Sequence, residues 1–170
     1  MIRALTLPDV LRTNHRTFTL RRVAESDLGA LMFLLADDSI SAARGDRAEE
    51  LDTAAYLPAL KELMSDSSNE VLLVVDEVDE PVATMQLTRI PGLSRRGATR
   101  LLVEAVRVCS VERSSGIGSA MMRWVITTAA ATTGAALVQL TSDQAREDAH
   151  RFYERLGFVG THRGFKFQVE

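Results

Sequence analysis

The stretch VCSVERSSGIGSAMMRWV, residues 108–125, decides how this chain is read. An apolar run ends at Val108 and gives way to Arg113-Ser114-Ser115-Gly116-Ile117-Gly118. Beyond it, Ile117, Ala120, Met121, Trp124, Thr128 and Ala131 recur at helical spacing on one side. A glycine inside a helix costs roughly 1 kcal/mol, so the pair marks a turn at the helix start. A strand that passes through such a turn into a helix leaves unpaired backbone N–H groups at the helix N-terminus. Together with the helix dipole these favour an anion, by about 0.3–1 kcal/mol at exposed sites and up to ~2 kcal/mol when partly buried. Glycine also lets phosphate oxygens approach without a Cβ in the way, and Arg113 at the lip can add a charge-assisted bond. The stretch is a candidate pyrophosphate cradle. It is neither of two familiar phosphate motifs: a Walker loop needs a lysine here, and Met121 stands where the dinucleotide fingerprint needs its third glycine.

Outward from this turn, the chain reads as strands and helices without a repeat, a low-complexity block or a Pro/Gly-rich linker. Residues 16–23 alternate as a half-buried strand does, and Ser26-Asp27 offers an N-cap for a helix over about 27–36. A second helix is expected over 49–64. EVLLVVDEV followed by DE and PVATMQLTRI reads as a hairpin turning near Asp79-Glu80, and a long strand follows over about 98–110. Residues 124–142 carry no charge over nineteen positions, which superficially suggests a membrane span. Five threonines and Gly134 point instead to a buried helix, a glycine stop and a buried strand, ALVQLTS. The segment EDAHRFYERLGF is a short helix stopped at Gly157, and the remainder to residue 170 is expected to add one or two short strands. Strands and helices in this order imply a mixed sheet flanked by helices.

Composition narrows the partners. The 170 residues suit one domain, with 46% hydrophobic and 25% charged residues and a formal charge of −3. That charge gives no global attraction to nucleic acid or to an anionic membrane. Its distribution is uneven: residues 89–123 hold seven arginines against Glu104 and Glu112, and residues 36–52 hold six acids against Arg44 and Arg47. A polyanion near the first segment and a cation near the second would fit, as would plain solvated faces. The single cysteine, Cys109, excludes an intramolecular disulfide and a cysteine-rich metal site, and a reducing cytoplasm is the default location. Pro8 and Asp9 interrupt the apolar core that a signal peptide needs.

A second motif gives the first its context. In residues 147–158, Ala149, Phe152, Tyr153 and Leu156 share one helix face, with His150, Arg151, Glu154 and Arg155 on the others. Together the two motifs resemble the GNAT superfamily, the histone-acetylase-like N-acetyltransferases. R-x-x-G-x-G at 113–118 resembles that family's acyl-CoA pyrophosphate loop, and A-x-x-x-Y-x-x-x-G-F at 149–158 resembles its late helix. The resemblance is specific over about 98–158 and weaker over FTLRRVAESDLGAL. It implies an α/β (α+β) single domain: a mixed, mostly antiparallel sheet of six to seven strands flanked by about four helices. The family's strands 4 and 5, here those around 98–110 and 136–142, are expected to splay around acetyl-CoA. An N-terminal extension over 1–15 and an N-acetyltransferase domain over 16–170 follow.

The resemblance also implies roles. The pantetheine is expected along Val106, Arg107 and Val108, and the pyrophosphate on the turn formed by Arg113, Ser114, Ser115, Gly116, Ile117, Gly118 and Ser119. Tyr153 matches the tyrosine that protonates the departing sulfur in many members; a core tyrosine with its hydroxyl tied to backbone is the other reading. Glu104 interrupts an apolar run where a carboxylate is unfavourable unless it is paired or faces a cavity. It matches the family's glutamate that takes the amine proton, while pairing with Arg107 would leave it without a catalytic part. Arg146 stands where many relatives carry asparagine, and reaches a phosphate or lies in solvent. Cys109 reads as a small buried residue. The expected reaction is acetyl transfer from acetyl-CoA to a primary amine by direct attack, without a metal. The acceptor is first a small-molecule amine and second a protein N-terminus or lysine; neither nucleic acid nor membrane is a partner, and a homodimer is common among such proteins. The competing class is a silent acyl-CoA sensor that binds without turnover.

Overall fold

In the computed structural model, which describes residues 1–169, six strands form one sheet in the order β1-β2-β3-β4-β5-β6. They span Asp9–Arg12, Thr17–Arg22, Asn69–Val75, Pro81–Ile90, Arg100–Val108 and Leu137–Leu140. All neighbours are antiparallel except β5 and β6, which are parallel. Alternation of side chains fixes what each face meets. Val71, Thr84 and Gln86 lie under α1 (Leu28–Ala36) and α3 (Thr53–Ser65), whose Leu28, Leu31 and Leu60 meet them. Leu72, Met85, Leu87 and Val103 face the other way, and each is at most 2% exposed. The helix that follows the glycine turn, α4 (Ile117–Trp124), covers that second face. Short α2 (Ser39–Ala43) follows α1, and α5 (Ala130–Thr133) and α6 (Glu147–Arg155) complete the helices that matter here.

Several expectations from the sequence change. Residues before 16 are part of the body: β1 pairs with β2, Ile2 and Leu5 are buried, and Trp124 Nε1 donates to the Asp9 carboxylate at 2.7 Å. The helix after the turn does not keep one face. Residues Val125–Ala129 form a π-helical turn between α4 and α5, which shifts the phase of all that follows. Val125, Ala129 and Thr133 are therefore buried, whereas Thr128 and Ala131 are exposed. The helix stops at Gly134 in the left-handed conformation (φ 65°), as expected. The strand after it is four residues long, and half-exposed rather than buried because it is an edge of the sheet. Beyond α6, which Gly157 ends at φ 90°, no strand forms among the described residues. No helix among them is long and apolar enough to cross a membrane.

Candidate active site

The site begins where β5 and β6 part. Their pairing runs from Arg100 with Leu137 to Val103 with Leu140 and then ends, although β5 continues to Val108. On its other side β5 stays paired with β4, but the register slips between Thr84 and Gln86, so that Ala105 and Val106 together oppose Met85. This bulge puts Ala105 at φ 50°, a left-handed conformation that costs a residue with a Cβ roughly 1–2 kcal/mol. Bulges bend a strand and redirect its side chains. The result is a free β5 edge over residues 104–108, bordering a cleft of ≈ 590 Å³ lined by Val106, Arg107, Val108, Arg113, Arg146 and the first turn of α6.

Beside the cleft, the glycine turn presents its backbone. Ser114 (φ 67°) and Gly116 (φ 90°) are both left-handed, separated by Ser115. Alternating conformations of this kind turn successive N–H groups toward one concavity. Among the described residues, the amides of Ser114, Gly116, Ile117, Gly118 and Ser119 have no hydrogen-bond partner within the protein. Those of Arg113 and Ser115 do, closing on the carbonyls of Ser110 (3.4 Å) and Glu112 (3.3 Å). Gly118 permits the close approach of three elements: a Cβ there would lie 3.4 Å from Phe152 Cζ and 3.9 Å from Val108 Cγ2. These orphaned donors and the surrounding guanidinium groups suit a diphosphate. The residues present therefore fit the anionic part of coenzyme A.

A feature missed in the sequence lies across the cleft. The acidic segment after α1 is bound to the basic groups of the site. The Asp37 carboxylate accepts from the Ser110 amide at 2.5 Å and lies 3.7 Å from Arg113, whose guanidinium also donates to the Asp37 carbonyl. Asp38 pairs with Arg146, Arg44 pairs with Asp143, and the buried Ser41 hydroxyl accepts from Arg107 (2.6 Å) and Arg146 (3.2 Å). Of these pairs Asp37–Arg113 joins the acidic run over 36–52 to the basic run over 89–123, and that opposition of charge was the only trace of the contact in the sequence. Arg113 also donates to the Val108 carbonyl at 3.3 Å, and Arg107 to its own strand's Val106 carbonyl at 2.8 Å. In this conformation both carbonyls expected to meet the pantetheine have arginine partners.

Burial pushes the Asp38 carboxyl up, but Arg146 and the Ser41 hydroxyl and amide outweigh it and hold Asp38 well below the ordinary carboxylate range. A depressed folded pKa stabilises the protein above the unfolded value, about 3.9, and that contribution disappears as pH falls through the folded value. We expect Asp38→Asn to lower stability near pH 7 by roughly 1.5–3 kcal/mol, a Tm drop of about 3–10 °C. It should also flatten the acid side of the Tm–pH curve below about pH 4. Thermal melts from pH 2.5 to 7.5 check both, and an unchanged acid slope would sink the assignment.

Tyr153 projects from α6 into the same region. Its ring packs edge-on against Phe152 (5.1 Å) and Phe158 (5.7 Å), and its hydroxyl makes no hydrogen bond among the described residues. It is not tied to backbone. Burial raises its pKa, while Arg107 and Arg146 draw it back. Burial likewise lowers that of Arg107, with Arg146 adding repulsion, and Arg107 Nε is a buried donor without a partner. Glu104 is exposed on the free part of β5, opposite Gln86, and forms no ion pair with Arg107 or any other described residue. The premise of a buried carboxylate fails because β6 ends beside Val103 and leaves Glu104 uncovered. Cys109 is buried and its thiol pKa is raised by that burial, so it stays a thiol rather than a reactive thiolate. No group of acidic, histidine or cysteine side chains able to hold a metal occurs among the described residues.

A sheet parted at one edge, with a glycine turn and a helix start beside the gap, makes a site for an extended ligand with an anionic end. The chain belongs to the GNAT acetyltransferase family, whose model, "Acetyltransferase (GNAT) family", matches residues 35–158. Among solved structures, a transcriptional regulator from Bacillus halodurans C-125 is similar at 38% identity and a TM-score of 0.83, covering 89% of this chain and 99% of its own. A candidate acetyltransferase from Agrobacterium tumefaciens str. C58 is similar at 25% identity and TM-score 0.73, covering 88% and 99%. Glucosamine-6-phosphate N-acetyltransferase from Arabidopsis thaliana shares the fold at 16% identity and TM-score 0.71, covering 90% and 99%. No curated protein matches the sequence.

Proposed function

We propose that this protein transfers the acetyl group of acetyl-CoA to a primary amine by direct attack, and that the acceptor is a small molecule. The observation that carries the reading is the set of unpartnered amides of Ser114 and of Gly116 to Ser119 beside the free edge of β5. Those amides hold the diphosphate, with Arg113 and Arg146 turning toward it as Asp37 and Asp38 give way. Val106, Arg107 and Val108 hold the pantetheine arm along β5. Bound in this way, acetyl-CoA supplies an activated thioester. The chain contributes orientation, which is worth several kcal/mol when reacting groups are held in near-attack geometry, and two proton transfers. Glu104 takes a proton from the acceptor ammonium, directly or through water. The free amine attacks the carbonyl carbon, the C–S bond breaks as Tyr153 gives its proton to the departing sulfur, and the second proton of the former ammonium leaves the new amide nitrogen through water to restore the Tyr153 hydroxyl.

The acceptor's carbon skeleton has a place beside this machinery. An apolar cavity of ≈ 100 Å³ lies between α1, α3 and the sheet, lined by Leu31, Tyr56, Leu60, Gln86 and Ala105 among others. Gln86 shares that face with Glu104, so an apolar group bound there sets its amine near the base.

Thermal shift with acetyl-CoA, followed by CoA release assayed with a panel of amines, tests the reading. Ligand at 100 times its Kd adds about 2.7 kcal/mol, a shift of roughly 5–10 °C for a domain of this size. No shift at millimolar acetyl-CoA would overturn it; tight binding with no turnover on any amine would leave a sensor in its place.

A further inference from the structure

The apolar cavity under α1 and α3 has three polar side chains in its wall, Tyr56, Thr84 and Gln86. Two of them are already engaged. The Thr84 hydroxyl, buried in the sheet, donates to the Leu72 carbonyl at 2.9 Å. The Tyr56 hydroxyl accepts from the Arg47 amide at 3.2 Å and donates to Asp46 at 3.4 Å. Gln86 differs, because its side-chain amide is held at one end only.

A relay of three side chains fixes which end that is. The Asp66 carboxylate, just past α3, accepts from the Ser68 amide and from Asn69 Nδ2, each at 2.7 Å. Those bonds hold its pKa below the ordinary carboxylate range, so it stays ionised and can only accept. Asn69 must therefore give its nitrogen to Asp66 and its oxygen to β4. That oxygen accepts from the Thr88 hydroxyl at 2.6 Å and from Gln86 Nε2 at 3.1 Å. Gln86 in turn keeps its nitrogen toward Asn69, which leaves its carbonyl oxygen without a partner among the described residues. On β5, Glu104 stands directly opposite Gln86. Side chains so paired share one face, with Cβ atoms about 5 Å apart. The apolar cavity thus ends beside two oxygen acceptors.

We propose that Gln86 selects the acceptor for nitrogen: its carbonyl oxygen, aimed by Asn69, takes one N–H of a primary amine on an apolar stem while Glu104 takes another. This rests on the acetyl-transfer reading above and adds what its acceptor site demands. An ammonium offers both donors and keeps a third for water. An alcohol of the same shape has a single O–H, so one of the two oxygens meets a lone pair instead of a proton. The second bond also orients the reacting atom. With one N–H on Gln86 and one proton passed to Glu104, the amine lone pair emerges in one direction. Gln86 touches the substrate; Asn69 and Asp66 act through it as positioning residues.

The test is an NMR titration, at pH 7 and with CoA bound, of n-butylamine, n-hexylamine and benzylamine, each against its own alcohol. Wild type should bind at least one amine about 30-fold more tightly than its alcohol, within the range for hydrogen bonds to a charged group. Gln86→Met keeps the length and removes the oxygen, and should cut that preference about tenfold. Asn69→Leu frees the Gln86 amide to turn and should cut it about threefold, the smaller loss of an acceptor that is present but not aimed. Gln86→Glu keeps an acceptor and should retain the preference. The Kd for acetyl-CoA should stay at its wild-type value in all three. A merely structural loss would weaken amine and alcohol together and leave their ratio unchanged. The proposal is overturned by a wild type that does not prefer the amine, by a Gln86→Met ratio equal to wild type, or by a Gln86→Glu ratio as low as that of Gln86→Met. Any of these with acetyl-CoA still bound leaves the acetyl-transfer reading in place; that reading falls separately, if acetyl-CoA does not bind.

Discussion

Replacing Tyr153 with phenylalanine should lower kcat roughly 100-fold, the lower end of what a positioned general acid contributes, and should leave the KM for acetyl-CoA within about threefold. The effect is confined to the chemical step because only the hydroxyl is removed. The ring keeps its edge-on packing with Phe152 and Phe158, and the hydroxyl has no hydrogen bond within the described residues whose loss could disturb the fold. The pH profile separates catalysis from structure. In the proposed role Tyr153 acts as an acid only while protonated, and burial raises its pKa although Arg107 and Arg146 oppose the shift. The alkaline decline of kcat therefore lies above about pH 10, the ordinary tyrosine value, and the phenylalanine variant lacks that limb. A variant with full kcat, or one that keeps the alkaline limb, would remove Tyr153 from the mechanism.

The second large effect is on binding. Gly116→Val should raise the KM for acetyl-CoA at least tenfold and abolish the thermal shift at ligand concentrations that saturate the wild type. Gly116 adopts φ 90°, where a β-branched residue is strained by roughly 1–3 kcal/mol. To relieve that strain the turn must reshape, and the amides from Gly116 to Ser119 cease to converge on one anion. Strain alone would also lower Tm, so a matched control is required. Gly134 ends α5 with φ 65° and open space around its Cβ position, at the opposite end of the helical run from Gly116. Gly134→Val should lose comparable stability and leave the acetyl-CoA KM unchanged. If both variants affect KM equally, the turn is structural and the diphosphate binds elsewhere.

The acidic segment after α1 gives these measurements a shared background. Asp37 and Asp38 hold Arg113 and Arg146, two of the cations proposed to meet the cofactor. Binding an anion there exchanges one set of charge-assisted bonds for another, so the net gain is smaller than the number of arginines suggests.

Local patterns in the chain determined a good deal. The glycine turn and the helix after it are legible because each depends on residues within one or two turns of one another: Ser114 and Gly116 must be left-handed for the chain to reverse, and Ile117, Ala120 and Met121 must share a stripe to bury it. The face of α6 that carries Tyr153, and the hairpin turning near Asp79, are legible for the same reason. Only the tertiary structure decided features that depend on distant partners. The bulge at Ala105 exists because β4 and β5 pair out of step, and the free edge at Glu104 because β6 is four residues long. Two aspartates bind arginines more than seventy positions away, and residues 2–12 enter the core through β2 and Trp124. Residues 164–169 mark the boundary between the two: GFKFQV alternates as a strand does, but a strand needs an edge to bond to, and beyond Gly157 none forms among the described residues.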